Sequence, residues 1–153
     1  MTRVRRFQDG DLALIVRMSC EFLSEVALLN NARLSMVTLV NTIDLATNDP
    51  NWFGMIGFVD EKVAGMVVGR RIQLFFSEQN ICCDTVFFVR KEFRGTLLIK
   101  RLIREFEKWG SSDEDCVGVQ LNAFAGGDNE RGAKLAEVLG FPRVGFITYK
   151  KRK

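Results

Sequence analysis

Val89-Arg90-Lys91-Glu92-Phe93-Arg94-Gly95-Thr96-Leu97-Leu98 joins an apolar run, Thr85 to Val89, to an amphipathic segment that continues to Trp109. The run reads as a buried strand and the segment as a helix, with a basic turn, Arg-Gly and a hydroxyl residue between them. That order builds an anion site. The first amides of a helix lack intrahelical partners and carry the positive end of its dipole. Gly95 lets the backbone approach a ligand closely, and Arg94 adds a charge with a donor fork suited to phosphate. At about 100° per residue, Leu98, Ile99, Leu102, Ile103, Phe106 and Trp109 fall on one stripe of the helix. Leu97 falls among the charged residues instead, where it is either covered or exposed.

Outward from this stretch the chain reads as follows. A short strand, Arg3 to Phe7, precedes Asp9-Gly10-Asp11, a turn and N-cap. Leu12, Ile15, Val16, Ser19, Phe22, Leu23 and Val26 then repeat with helical period. After Asn30-Asn31 a second helix is expected over about 32–46. Trp52 to Val59 and Val63 to about Phe75 form a hairpin about Asp60-Glu61-Lys62. Ile81 to Val89 is the next strand, on which alternation puts Cys82, Asp84, Val86 and Phe88 on one face. Cys116 to Phe124 is another strand, with Val117, Val119, Leu121 and Ala123 on one side. A short helix follows from about Glu130 to Leu139, stopped by Gly140 as its C′ residue and by Pro142. Val144 to Tyr149 is a last strand, before the tail Lys150 to Lys153.

The expected fold class is therefore α/β (α+β): a mixed, mostly antiparallel central sheet flanked by helices, in the order β-α-α-β-β-β-α-β-α-β. One domain over 1–153 is the prior at this length. The chain of 153 residues is 47% hydrophobic and 27% charged, an ordinary globular balance. A net charge of +3 fits an acidic ligand but is too small to indicate nucleic acid. No histidine is present, which removes Ser-His-Asp and Cys-His catalysis. Cys20, Cys82, Cys83 and Cys116 lack Cys-x-x-Cys spacing, so they argue against a zinc site or a disulfide framework and for reduced thiols. No apolar leader and no run of the ~18 apolar residues a membrane span needs is visible, so a cytoplasmic protein with no membrane partner is expected.

Two segments carry a family resemblance. Val89, Arg94 and Gly95 stand at the spacing of the acyl-CoA loop of the GCN5-related N-acetyltransferase (GNAT) superfamily, Val-x-Pro-x-x-Arg-Gly-x-Gly-x-Gly/Ala. The run Asn129-Glu130-Arg131-Gly132-Ala133-Lys134-Leu135-Ala136-Glu137-Val138-Leu139-Gly140-Phe141 resembles that family's Asn-x-x-Ala-x-x-Leu-Tyr-x-x-x-Gly-Phe segment. The element order matches the GNAT fold over essentially the whole chain. Four positions depart: Lys91 replaces Pro, Leu97 and Ile99 replace small residues, and Ala136 replaces a Tyr held to protonate the leaving thiolate.

The resemblance implies a divergent acetyltransferase that uses acetyl-CoA as co-substrate. Pantetheine would run along Phe87, Phe88 and Val89. The amides of Gly95, Thr96, Leu97 and Leu98 would hold the phosphates beside Arg94, and Asn129 would hold the CoA arm, although Asn129 serves equally as a helix N-cap. Asp84 is the positional candidate for a base, and a salt-bridged strand residue is its other reading. Cys83 as an acyl-carrying nucleophile is a remoter idea than a small buried hydrophobe. The acceptor, a small-molecule amine or a protein or peptide amine, would sit between the strands Ile81–Val89 and Cys116–Phe124. A GNAT-shaped binding module without transfer chemistry is the rival implied by the substituted positions. Edges at Val63–Phe75 and Val144–Tyr149 suggest a homodimer.

Overall fold

The strand that ends in Val89 lies inside the sheet, covered on both faces, which explains its apolar character at consecutive positions. The computed structural model describes residues 1–26, 32–122 and 129–145. The described strands are β1 (Thr2–Arg6), β2 (Trp52–Val59), β3 (Lys62–Gln73), β4 (Asn80–Val89) and β5 (Cys116–Gln120). They lie side by side in chain order, antiparallel except for β4 with β5. The helices are α1 (Leu12–Glu25), α2 (Met36–Asn48), α3 (Leu98–Gly110) and α4 (Asn129–Val138). None is long and apolar enough to cross a membrane.

Two hydrophobic clusters sandwich the sheet. Phe22, Ile15 and Met18 of α1 and Ile43 of α2 pack on Ile56, Met66, Val68 and Phe88. On the other face Leu98, Leu102, Ile103 and Phe106 of α3 pack on Phe53, Met55, Val67, Phe87 and Val89. The α3 stripe expected from the sequence is thus the core side of that helix. Close approach fixes two glycines. A Cβ on Gly69 would lie 2.3 Å from the Phe106 ring, and one on Gly65 would lie 2.7 Å from the Phe88 carbonyl oxygen.

Several boundaries and faces differ from expectation. Helix α2 starts at Met36 because the Ser35 hydroxyl accepts the Thr38 amide. Asp11 holds the N-cap position of α1, but its side chain makes no cap bond there; its carboxylate accepts Gln8 N–H at 2.9 Å and the Arg5 fork at 2.6 and 2.8 Å. Strand β3 stops at Gln73, and β5 ends at Gln120 rather than Phe124, residues 123–128 being outside the described set. Most of the expected strand Val144–Tyr149, including Tyr149, is outside it too. Strand β3 lies between β2 and β4, so it is no edge for a second copy.

Alternation also fails twice. Val68 pairs with Val86 but Gly69 with Asp84, so Thr85 is an extra residue in β4. Cys82 consequently belongs to the α3 cluster while Val86 and Phe88 belong to the α1–α2 cluster, and Asp84 does not share one face with all three. In β5, Asn80 pairs with Cys116 and Cys82 with Val119, so the strand carries an extra residue. Val119 packs on α3, whereas Val117 is exposed.

Gly140 adopts φ +92°, and its N–H and that of Phe141 bond to Glu137 and Ala136 carbonyls. This is the Schellman stop expected after the last helix.

Gly65→Ala tests the tightest backbone approach. Because the obstruction is a main-chain oxygen, we expect a loss of about 1–3 kcal/mol. A thermal melt should show that as a fall of roughly 3–10 °C.

Candidate active site

Among the described residues, strands β4 and β5 start as a parallel pair whose strand pairing ends at Gln120. Their register runs Asn80–Cys116, Cys82–Val119 and Cys83–Gln120. One step further the link is no longer strand to strand: the Asn122 backbone N–H donates to the Asp84 carboxylate, and the Asn122 side-chain amide reaches the Asp84 carbonyl at 3.4 Å. Asp84 is 5% exposed, so a carboxylate sits at the crotch of this fork, immediately before the Thr85 bulge. Cys83, beside it, is buried 4.0 Å from the Gln120 side-chain oxygen. Burial first, and then the neighbouring Asp84 charge, push its thiol up, which disfavours the thiolate a nucleophile needs.

At the far end of β4 the chain turns over Lys91–Phe93 and enters α3. Gly95 has φ +89°, a left-handed conformation that a glycine adopts without a Cβ penalty, and the space beside it is open. Thr96 belongs to the turn rather than to the helix. Its hydroxyl donates to Phe93 O at 2.8 Å and lies 3.4 Å from the Leu98 amide. The Thr96 amide bonds to Phe93 O at 3.3 Å. The amides of Gly95, Leu97, Ile99 and Lys100 show no backbone acceptor among the described residues, as helix geometry requires at an N-terminus. Leu98 is fully buried under the sheet, while Leu97 is 60% exposed. The apolar side chain on the polar face is therefore uncovered by any described residue.

Arg94 does not stand free. Its Nε donates to the Val89 carbonyl at 2.8 Å, and one terminal nitrogen pairs with the Glu25 carboxylate. Arg90, four residues earlier, donates through Nε and a terminal nitrogen to Glu21 at 2.7 and 2.8 Å and to Val63 O at 2.7 Å. Glu21 and Glu25 are one helical turn apart on α1, so two acids meet two arginines in parallel. Glu21, Glu25 and Arg90 line a cleft of about 270 Å³ together with Arg17, Lys91 and Glu92. The Arg90 fork holds the Glu21 carboxyl below its usual range, against the opposing effect of burial. Sequence reading missed both pairs, because partners 69 positions apart leave no local signal.

The remaining candidates are dispersed. Phe87, Phe88 and Val89 alternate between the two cores. Ala136 is buried in α4 and offers no proton. Asn129 is the first residue of α4. Among the described residues no cluster of histidine, cysteine or carboxylate side chains could hold a metal ion.

No protein-family model matches the chain, and no curated protein matches it by sequence. Solved structures do. A possible acetyltransferase from Clostridium difficile 630 superposes with a TM-score of 0.71 at 18% identity, covering 100% of this chain and 98% of that one. AAC(6′)-Iy, an aminoglycoside N-acetyltransferase solved with the bisubstrate analogue CoA-S-monomethyl-acetylneamine, gives 0.76 at 13% identity, covering 100% and 99%. A transcriptional regulator from Bacillus halodurans C-125 gives 0.74 at 16% identity over the full length of both chains. The chain thus has the GNAT fold that its two sequence segments led one to expect.

The Glu21–Arg90 pair predicts a signed pH effect. A carboxyl whose folded pKa is depressed contributes stability above its unfolded value of about 4.3, and loses it as pH falls through the folded value. Glu21→Gln should cost about 1–2 kcal/mol at pH 7. Melts at descending pH should show the variant and the wild type converging below about pH 4; parallel curves would contradict the assignment.

Proposed function

We propose that the chain is an acyl-CoA-dependent N-acyltransferase that moves an acetyl group from acetyl-CoA to a primary amine. The observation that carries this reading is the juxtaposition of a β4–β5 fork with a carboxylate at its crotch and, in the turn that follows the same strand, a left-handed Gly95 leading into the N-terminal amides of α3. A helix N-terminus with uncommitted amides suits a pyrophosphate. The open space beside Gly95 supports close approach of such a group. Phosphates would rest on the amides of Gly95, Leu97, Ile99 and Lys100, those of Thr96 and Leu98 being engaged within the turn, and Asn129 would meet the CoA arm. Arg94 would act mainly by shaping the turn, since Val89 and Glu25 hold its guanidinium. Its charge still adds to the field of the site.

When bound, acetyl-CoA supplies an activated acyl group. The chain's own contributions would be orientation and proton handling. The Phe87–Val89 edge of β4 would align the pantetheine arm, and an amide near Val89 would face the thioester oxygen. The Asp84 carboxylate would take a proton from the acceptor ammonium, directly or through one water. Ala136 cannot return a proton to the leaving sulfur. A thiolate, with a conjugate pKa near 8.5, departs with less help than an alkoxide would need. The acceptor would be a small-molecule amine, the class of ligand in the AAC(6′)-Iy complex.

A second reading has its own support. Leu97 projects from the turn where a small residue would leave more room, and the buried Ala136 offers no acid. Both favour a GNAT-shaped binding module without transfer chemistry.

Calorimetric titration with acetyl-CoA, followed by acetylation assays over an amine panel, separates the two. Ligand at a hundred times its dissociation constant should add ~2.7 kcal/mol, a rise of roughly 5–10 °C in melting temperature. Asp84→Asn should keep that binding and lower kcat by roughly 10²–10⁴-fold. Binding with no turnover on any amine would favour the module. Neither heat nor shift at millimolar acetyl-CoA would overturn the cofactor assignment.

A further inference from the structure

Four free thiols are present, and two of them face each other at the root of the fork. The Cys82 and Cys116 sulfurs are 3.3 Å apart, one on β4 and one on β5. The extra residue in β5 brings this about: Asn80 pairs with Cys116, but Cys82 pairs with Val119, so the two cysteines sit diagonally across the parallel ladder. Cys116 is held there by a 3.1 Å contact between its sulfur and the Gly118 carbonyl.

Cys82 has little freedom to turn away. It is 0% exposed, and α3 ends directly above it. Even a methyl group placed on Gly110 would lie 3.4 Å from the Cys82 sulfur and 3.3 Å from its Cβ. Packing therefore confines the sulfur on the helix side, with Cys116 as its neighbour across the strands. The exposures differ in a useful way: Cys116 is partly open to solvent and Cys82 is sealed. A small oxidant reaches the pair through Cys116.

We propose that Cys82 and Cys116 form a reversible intramolecular disulfide under peroxide, a covalent modification site at the base of the β4–β5 fork. In the first step the Cys116 thiolate attacks hydrogen peroxide. An S–O bond forms as the O–O bond breaks, and the departing hydroxide is protonated to water. In the second step Cys82 gives up its proton and attacks the Cys116 sulfur. An S–S bond forms, the S–O bond breaks, and hydroxide leaves with that proton as a second water. Two thiols lose two electrons in total and one peroxide is reduced to two waters.

The order of events follows from the surroundings. Burial first, and then the hydrogen-bonded Cys116, push the Cys82 thiol up to about 12. It is therefore a poor first nucleophile, and its attack on Cys116 accelerates as pH rises. The Arg71 guanidinium acts in the opposite direction and eases loss of the Cys82 proton. Arg71 is fixed in place: its Nε lies 2.9 Å from Asp113, and its charge lies 4.4 Å from the centre of the Trp109 ring. This inference does not depend on the proposed transfer activity.

The test uses the full chain carrying Cys20→Ser, which removes the exposed thiol on α1. The protein is treated with excess hydrogen peroxide, then digested without reduction for peptide mass mapping. The expected result is a peptide pair linked through Cys82 and Cys116, two thiols lost on titration in denaturant, and full recovery with dithiothreitol. The cross-link should raise the melting temperature by roughly 5–15 °C. Adding Cys116→Ser should abolish both the linked peptide and the rise. Oxidation of Cys116 to its sulfinic acid without a link to Cys82 would overturn the proposal, as would a peptide map in which Cys82 and Cys116 stay free.

Discussion

A parallel strand pair that stops pairing is the feature on which this molecule turns. Among the described residues, strands β4 and β5 keep register to Cys83 and Gln120. Beyond that point the Asp84 carboxylate, not a strand carbonyl, receives the Asn122 amide. The Thr85 bulge follows at once, and it redirects every later side chain of β4. Buried backbone groups need partners, so a fork inside a sheet persists only where side chains supply them. Asp84 supplies one here. The same carboxylate is the proposed base, so in that proposal support of the fork and proton transfer fall on one residue.

The two helical layers reach the fork by different means. Helix α3 is anchored by dispersion and burial, with Phe106 packed against Gly69 so closely that a methyl group there would collide. Gly69 is the partner of Asp84, so this contact lies at the bulge itself. Helix α1 is anchored at its end by charge, through Glu21 with Arg90 and Glu25 with Arg94. Buried or half-buried ion pairs add little net stability but are costly to break singly. Their effect is to fix where the β4–α3 turn stands relative to α1.

Most of the fold could be read from local patterns. The α3 stripe, the β2–β3 hairpin about Asp60 and Glu61, and the Gly140 stop all depend on residues near one another in sequence. The bulge at Thr85 could not be read this way. It exists because Val68 and Gly69 meet β4 one residue out of step, a relation between distant strands. Strict alternation therefore assigned Asp84 to a face with Val86 and Phe88 and missed its reach across to Asn122. Arg94 shows the same limit. Its type and position suggested a phosphate ligand, yet the guanidinium is engaged by Glu25, whose approach is set by tertiary packing. Gly95, whose signal is conformational and local, does take a left-handed conformation with open space beside it.

The central claim is that the fork and the α3 N-terminus form one cofactor site. Backbone amide shifts in the ¹⁵N-labelled protein during addition of acetyl-CoA test it most directly. The account predicts saturable shifts at Gly95 to Lys100, from the start of α3, together with Phe87 to Val89 of β4. Shifts confined to other surfaces, or none at saturating acetyl-CoA, would contradict it.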